Sequence, residues 1–211
     1  MGVRCHIALF FPVENMGTAL AELNKLAYQP NNQSCVIQLS NNNRVYVYCR
    51  TGRPPAEYFD IFGRKVVCFD TVLLFPADDV IAAYINANNE LVGSGTDRQV
   101  TIDGITHYPV GYLSIIIATG TKFGEITISS VVSSQNQVIL CSPSLHASLI
   151  NILTSANGVA GLINNDGAYD NLLLTDTSCV VRIDFDKEER FRDGNDIDEI
   201  VRSILDQLEN P

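Results

Sequence analysis

The chain has 211 residues, 46 % apolar and 18 % charged, with 14 basic against 24 acidic side chains and a net charge of −10. It is too apolar for a disordered chain and long enough to bury a core, as one medium domain or two small ones. The acidic balance repels phosphate backbones and anionic lipids, which excludes nucleic acid and membrane surfaces as first partners and favours a basic protein.

The N-terminal stretch VRCHIALFFP reads as a strand. Cys5, Ile7 and Leu9 share one face of its pleat, and His6, Ala8 and Phe10 share the other. A strand apolar on both faces is expected at the centre of its sheet, covered on each side, with His6 as a core or subsurface histidine. The apolar run from Ile7 to Phe11 is too short for a signal peptide, and Glu14 interrupts it. No stretch reaches the roughly 18 apolar residues of a membrane span. These features predict a cytoplasmic protein. In a reducing compartment the six cysteines, Cys5, Cys35, Cys49, Cys68, Cys141 and Cys179, none in a CxxC pair, read as small buried hydrophobes without disulfide or zinc.

Behind Pro12 an amphipathic helix is predicted, with Met16, Ala19, Leu20, Leu23, Leu26 and Ala27 on one face. CVIQLS and RVYVYCR flank Asn41, Asn42 and Asn43, a hairpin turn because asparagine tolerates positive φ. TVLLFP leads through Pro76 to a second helix, with Asp78 and Asp79 where a helix N-terminus favours negative charge. YLSIIIATG and GEITISSVVSS flank a turn in which Gly120 and Gly124 are expected to supply positive φ. QVILCSP reads as a third strand before Pro143 and a third helix, which carries Leu145, Leu149, Ile152, Leu153 and Ala156 inward and ends at Gly158. Shorter strands are expected near GLINNDG and NLLLTDTSCVVRIDF.

Pro12, Pro76 and Pro143 are spaced by 64 and 67 residues, so the chain fits three β-α-β-β modules beginning near residues 5, 69 and 136. Residue identity between them is poor, and regular alternation in any α+β domain gives a similar spacing. The fold class is α+β, a largely antiparallel sheet with packed helices, over a single domain at 1–183 followed by an acidic linker and helix at 184–211. From Asp184 onward there are 10 acids against 4 bases. Asp196 and Glu199 suit a capping box, and Ile197, Ile200, Val201, Ile204, Leu205 and Leu208 form an apolar stripe. That stripe either closes the chain's own core or meets a partner or a second copy.

The chemistry-bearing candidates are few. ATGTKFGEITI resembles a glycine-rich nucleotide loop, but Ala118 stands where the leading glycine belongs and no lysine, HRD-like or DFG stretch follows. Gly93 and Gly95 follow a helix rather than leading into one, so they form no phosphate cradle. The carboxylates of DFDKEERFRDGNDIDEI break the EF-hand register whether counted from Asp184 or Asp193. IALFFPVENMGTALAELNKL is similar in pattern to the first strand and helix of two-histidine phosphoesterases, which work through two His-x-Thr/Ser motifs. Here only His146-Ala147-Ser148 matches, and His6 and His107 lack the hydroxyl. No G-x-S-x-G elbow or H-E-x-x-H motif is present. Cys141 with His146 is the best remaining nucleophile pair, because a strand end before a helix N-terminus would lower the thiol pKa.

Two functions follow. The first is an acidic, non-catalytic protein-binding module (inhibitor, immunity-type or assembly subunit) with no cofactor or metal, meeting a protein partner or itself through the tail stripe. The alternative is a small hydrolase or phosphoesterase using His146 with Cys141 or His6.

Overall fold

The computed structural model describes residues 5–39, 44–59, 64–88, 99–165, 168–173, 182–183 and 196–209. The turn at 41–43, Gly93, Gly95, Cys179 and the acidic stretch 184–195 lie outside them, as does the side chain of Leu208.

The class is α+β: among the described residues five α-helices pack on a mostly antiparallel sheet. The strands are β1 (Cys5–Pro12), β2 (Asn32–Gln38), β3 (Arg44–Arg50), β4 (Ala56–Phe59), β5 (Lys65–Pro76), β6 (Val100–Ile102), β7 (Ile105–Thr119), β8 (Phe123–Ser130), β9 (Ala160–Asn165), β10 (Ala168–Leu173) and β11 (Arg182–Ile183). The helices are α1 (Met16–Lys25), α2 (Asp79–Ala87), α3 (Asn136–Cys141), α4 (Pro143–Ser155) and α5 (Ile197–Glu209). The main sheet runs β11-β10-β9-β1-β8-β7-β5-β4, with β6 folded back on β7, and β2 with β3 forms a separate hairpin.

β1 lies between β8 and β9, at the centre the two-sided apolar pattern requires. Cys5, Ile7, Leu9 and Phe11 enter the main core beneath α1, α2, α3, α4 and the β2–β3 hairpin. Ala8 and Phe10 enter a second, smaller core on the opposite face, with Val66, Ala118, Ala160 and Leu162 of the sheet and Ile197, Val201 and Ile204 of α5. The tail helix therefore closes its own domain.

Four expectations need correction. QVILC is helix α3, not a strand. A short apolar run does not separate the two periods, and here Val138 and Ile139 turn inward while Gln137 and Cys141 face solvent, as a helical turn demands. The third module thus lacks its leading strand. Cys35 and Cys49 are not free thiols: they form a disulfide across the β2–β3 hairpin, with Cα atoms 6.5 Å apart. They stand two register positions apart on one face, because Cys35 is opposite Val47 and Cys49 opposite Gln33. Cys141 is exposed. Gly120 and Gly124 do not adopt positive φ. Among the described glycines Gly52, Gly104 and Gly111 do.

Gly111 marks a bulge. Val72 pairs with Tyr112 and Leu74 with Pro109, so Val110 and Gly111 together face Leu73. The extra residue flips the alternation of β7 and lets both Val110 and Leu113 point into the main core. Gln135 holds the bulge: its Nε2 donates to the carbonyls of Val110 and Tyr112, each at 2.9 Å, and its Oε1 accepts from the amides of Val131 and Val132 at 2.9 and 3.2 Å. Helix α4 ends in a Schellman turn in which Asn157, not Gly158, takes the left-handed conformation (φ 48°), and Gly158 N–H donates to the Leu153 carbonyl at 2.6 Å. Gly158 is required for closeness instead: a Cβ there would stand 2.5 Å from Leu153 Cδ2.

Candidate functional site

The three residues of the enzymatic alternative do not meet. His146 is buried on α4, and its Nε2 lies 2.7 Å from the carbonyl oxygen of Ile139, a bond that ties α4 to α3. Cys141, at the exposed end of α3, makes no hydrogen bond to His146. It is the last residue of α3 and directly precedes Ser142, the N-cap of α4. His6 follows Cys5 on β1 and so points to the face opposite α3 and α4, which leaves the sheet between it and His146. His107 Nδ1 lies 3.0 Å from the carbonyl oxygen of Ile105, two residues away. Among the described residues no group of three or more His, Cys, Asp or Glu side chains is placed to hold a metal ion.

His6 instead begins a polar row that sequence reading missed. Register sets His6 opposite Ser129, Ser129 opposite Ser114, and Ser114 opposite Asp70, across four adjacent strands. Cys68 Sγ reaches Ser114 Oγ at 3.5 Å, and Arg53 Nη1 stands 3.9 Å from Asp70 Oδ2. With strands about 4.8 Å apart, three steps hold His6 and Asp70 about 14 Å apart, too far for a catalytic dyad. The row is the polar half of the second sheet face, beside the half that α5 covers.

Asp78 joins two helix N-termini. Its Oδ1 accepts from the Ile81 amide at 2.8 Å and caps α2, while its Oδ2 accepts from Ser142 Oγ (2.6 Å), Ser144 N (3.1 Å) and Ser144 Oγ (2.8 Å) at the start of α4. The Pro76 carbonyl oxygen, 2.7 Å from Ser144 Oγ, shares that single hydroxyl hydrogen with Asp78. Burial pushes the Asp78 carboxyl up, but the hydrogen bonds from Ser142, Ile81 and Ser144 together hold it below the usual carboxylate value. Burial raises the Tyr84 phenol above its usual value, against hydrogen bonds with Gln135 and Ser134. Asp78 ties the starts of α2 and α4 together, and Tyr84 ties α2 to the residues before α3.

The glycine-rich turn does hold an anion, supplied by the chain itself. Asp198 Oδ1 accepts from the amides of Lys122 (3.0 Å) and Phe123 (2.9 Å), and its Oδ2 lies 3.1 Å from Lys122 N. A Cβ on Gly120 would stand 2.9 Å from Asp198 Oδ1 and 3.0 Å from Asp196 Oδ1, and one on Gly124 would stand 2.5 Å from Met16 Sδ. The motif needs glycines because neighbours press on both sides.

A groove of about 830 Å³ lies between the end of α1, the β2–β3 hairpin and β6. Ala27, Tyr28, Leu74 and Val100 give it apolar lining, and Asn24, Lys25, Gln29, Gln99 and Thr101 supply polar groups. Asn24 bonds the outer edge of β3, with Nδ2 donating to Tyr46 O at 2.6 Å and Oδ1 accepting from Tyr48 N at 3.2 Å. Lys25 is paired with Glu22 at 2.6 Å. Both hairpins that wall the groove carry exposed apolar cross-strand pairs. On β2 and β3 Val36 (53 % exposed) faces Tyr46 (68 %), and at the Asp103-Gly104 turn between β6 and β7 Ile102 (40 %) faces Ile105 (55 %). Asp103 and Gly104 both take positive φ, 50° and 78°, the two-residue hairpin geometry that leaves Ile102 and Ile105 side by side.

Ile197, Val201 and Ile204 are fully buried and Ile200 is partly buried on the chain's own sheet, and Leu205 is the exposed one. No protein-family model, curated protein or solved structure matches this chain.

Proposed function

We propose that the protein is a non-catalytic binding module for a protein partner, engaged at the groove beside β6. One observation carries this reading: the two apolar pairs Val36–Tyr46 and Ile102–Ile105 stand exposed on the two hairpins that wall the same groove. Single exposed apolar residues are ordinary, but paired ones flanking a concavity suit a recognition surface. The net charge of −10 favours a basic partner, whose approach it would steer. The reading of a small hydrolase or phosphoesterase through His146, Cys141 and His6 finds no geometry in its favour, since the sheet and the Ile139 carbonyl keep these groups apart.

Affinity capture with the full chain tests the proposal. Tyr46→Ser with Ile105→Ser should abolish capture while the circular-dichroism spectrum stays unchanged. Undiminished capture by that variant would remove the groove from consideration.

No single helix among the described residues is long and apolar enough to cross a membrane. The cytoplasm remains our proposed location, and the Cys35–Cys49 disulfide bears directly on it, since disulfides persist in oxidising compartments. Thiol counting in protein taken from its native cells decides: six reactive thiols fit the cytoplasm, and two fewer fit an oxidising compartment.

A further inference from the structure

We propose that the partner enters the groove as an added strand: a basic, extended segment pairs antiparallel with the outer edge of β6 and lays aliphatic side chains beside Val100 and Ile102. This mode of binding rests on the groove being the partner site and names how the partner is held there. Four consecutive residues, Gln99, Val100, Thr101 and Ile102, line the groove. Successive strand side chains point to opposite faces, so lining by each residue in turn means that the groove runs along the edge of β6. His107 of β7 is paired with Val100 on one side and Pro76 on the other, which puts β6 and β5 on opposite edges of β7. The Thr106 carbonyl accepts from the Ala77 amide at 2.8 Å and so points to the β5 edge. Its ladder partner Thr101 therefore holds a non-hydrogen-bonded position, with its own N–H and C=O turned outward from β7. Thr101 is exposed, and among the described residues no group is bonded to that N–H or C=O.

The other strand edges on the groove are taken by the chain itself. The Asn24 carboxamide donates to Tyr46 O at 2.6 Å and accepts from Tyr48 N at 3.2 Å, the pair of bonds an added strand would make with β3. At the end of β5 the Tyr28 amide donates to the Val72 carbonyl at 2.9 Å, and the Leu26 carbonyl accepts from the Leu74 amide at 2.7 Å. Among the described residues β6 is left with an outward donor and acceptor, which another extended backbone satisfies together. The side chains specify the rest. Val100 and Ile102 share a face; Val100 packs with Tyr28 and Leu74, and Ile102 stands exposed beside Ile105. Aliphatic residues opposite those two gain apolar contact, while the residue between them, opposite Thr101, points the other way. Lys25, the one charged residue of the described lining, is matched by Glu22 at 2.6 Å, so the chain's net charge of −10 sets the field at the groove. That field repels a second copy and draws a segment bearing lysine or arginine.

The probe is a short, fluorescein-labelled peptide of alternating valine and lysine, titrated into the full chain, and saturable binding is expected. With the valines beside Val100 and Ile102, the lysine opposite Thr101 turns its own N–H and C=O to β6. N-methylation of the lysines should therefore weaken binding at least about tenfold, since it blocks those bonds, whereas N-methylation of the valines should leave it unchanged. Thr101→Pro in the chain should match the first loss with an unchanged far-ultraviolet spectrum, because the bonds to β7 come from Val100 and Ile102 and an edge strand accepts proline where its N–H points outward. Hydrogen exchange needs no variant: the Thr101 amide should exchange freely in the dilute chain and become protected when the peptide is added. Protection of that amide without peptide means that the chain or a second copy already fills the edge, and the proposal falls. A valine–glutamate peptide that binds equally well overturns the basic occupant. No saturable binding, or equal binding of the two methylated peptides, overturns strand addition. Where such equal binding is lost in the chain with Tyr46→Ser and Ile105→Ser, the groove stands as the partner site and only its mode of binding is wrong.

Discussion

The two faces of the main sheet are built in different ways. On one face four helices and a hairpin converge, and the side chains of β1, β5, β7 and β8 meet them in a continuous apolar layer. On the other, among the described residues, α5 covers the strip around Phe10 and Ala118, and the polar row from His6 to Asp70 lies beside it. The first face is held by shape and apolar area distributed over many elements, so each element depends on the others. The second is held by one helix of three buried aliphatic residues and one carboxylate. Among the described residues the helix-packed face thus spreads its contacts over many elements, whereas the second face concentrates them on α5.

The largest effect that would break this contrast is expected from Leu9→Ala on the helix-packed face. A cavity at a fully buried site should cost about 2–5 kcal/mol and lower the urea midpoint of every spectroscopic probe together. A loss confined to one region would mean that the two faces are not so different. Gln135→Ala comes next. It strands the Val110 and Tyr112 carbonyls and the Val131 and Val132 amides, for about 1–3 kcal/mol by chemical denaturation, and it should unfold the Gly111 bulge first. A loss below about 0.5 kcal/mol would show that water takes over those four groups.

Acid sharpens the comparison at the junction of α2 and α4. The folded Asp78 carboxyl sits below its unfolded value of about 3.9, so its contribution is present above that pH and is lost as pH falls through the lower folded value. The stability gap between the unmodified chain and Asp78→Asn should therefore narrow steadily below about pH 4 in urea titrations. A gap that stays constant down to pH 2 would separate Asp78 from the acid response. The smallest effect has the opposite sign. Thr71 is buried in β5 with a hydroxyl that finds no hydrogen-bond partner among the described residues, so Thr71→Val should be neutral or stabilise by up to about 1 kcal/mol. Destabilisation beyond that would reveal a partner for the hydroxyl.

Much of this was legible along the chain because it is periodic. The two-sided apolar pattern of β1 located the centre of the sheet, and the helical spacing of Met16, Leu20 and Leu23 and of Leu145, Leu149 and Ile152 located α1 and α4. Asp78 announced a helix start and proved to cap two. QVILC misled because five residues hold too few periods to tell helix from strand. The glycines of ATGTKFGEITI resembled a ligand loop for a sound reason, since their amides do bind an anion, but the anion comes from 75 residues away.

What the amino-acid sequence determined by itself was therefore local: which segments bury a face, where helices begin, and which motifs fall short of a catalytic template. Only the tertiary structure decided which residues become neighbours across strands: Cys35 with Cys49, Ser114 with Ser129, Asp198 with the turn at 120–123, and His6 on the far side of the sheet from His146. The division has a physical cause. Propensity and periodicity act over a few residues of backbone, whereas register, bulges and the docking of a terminal helix depend on the packing of segments far apart in the chain.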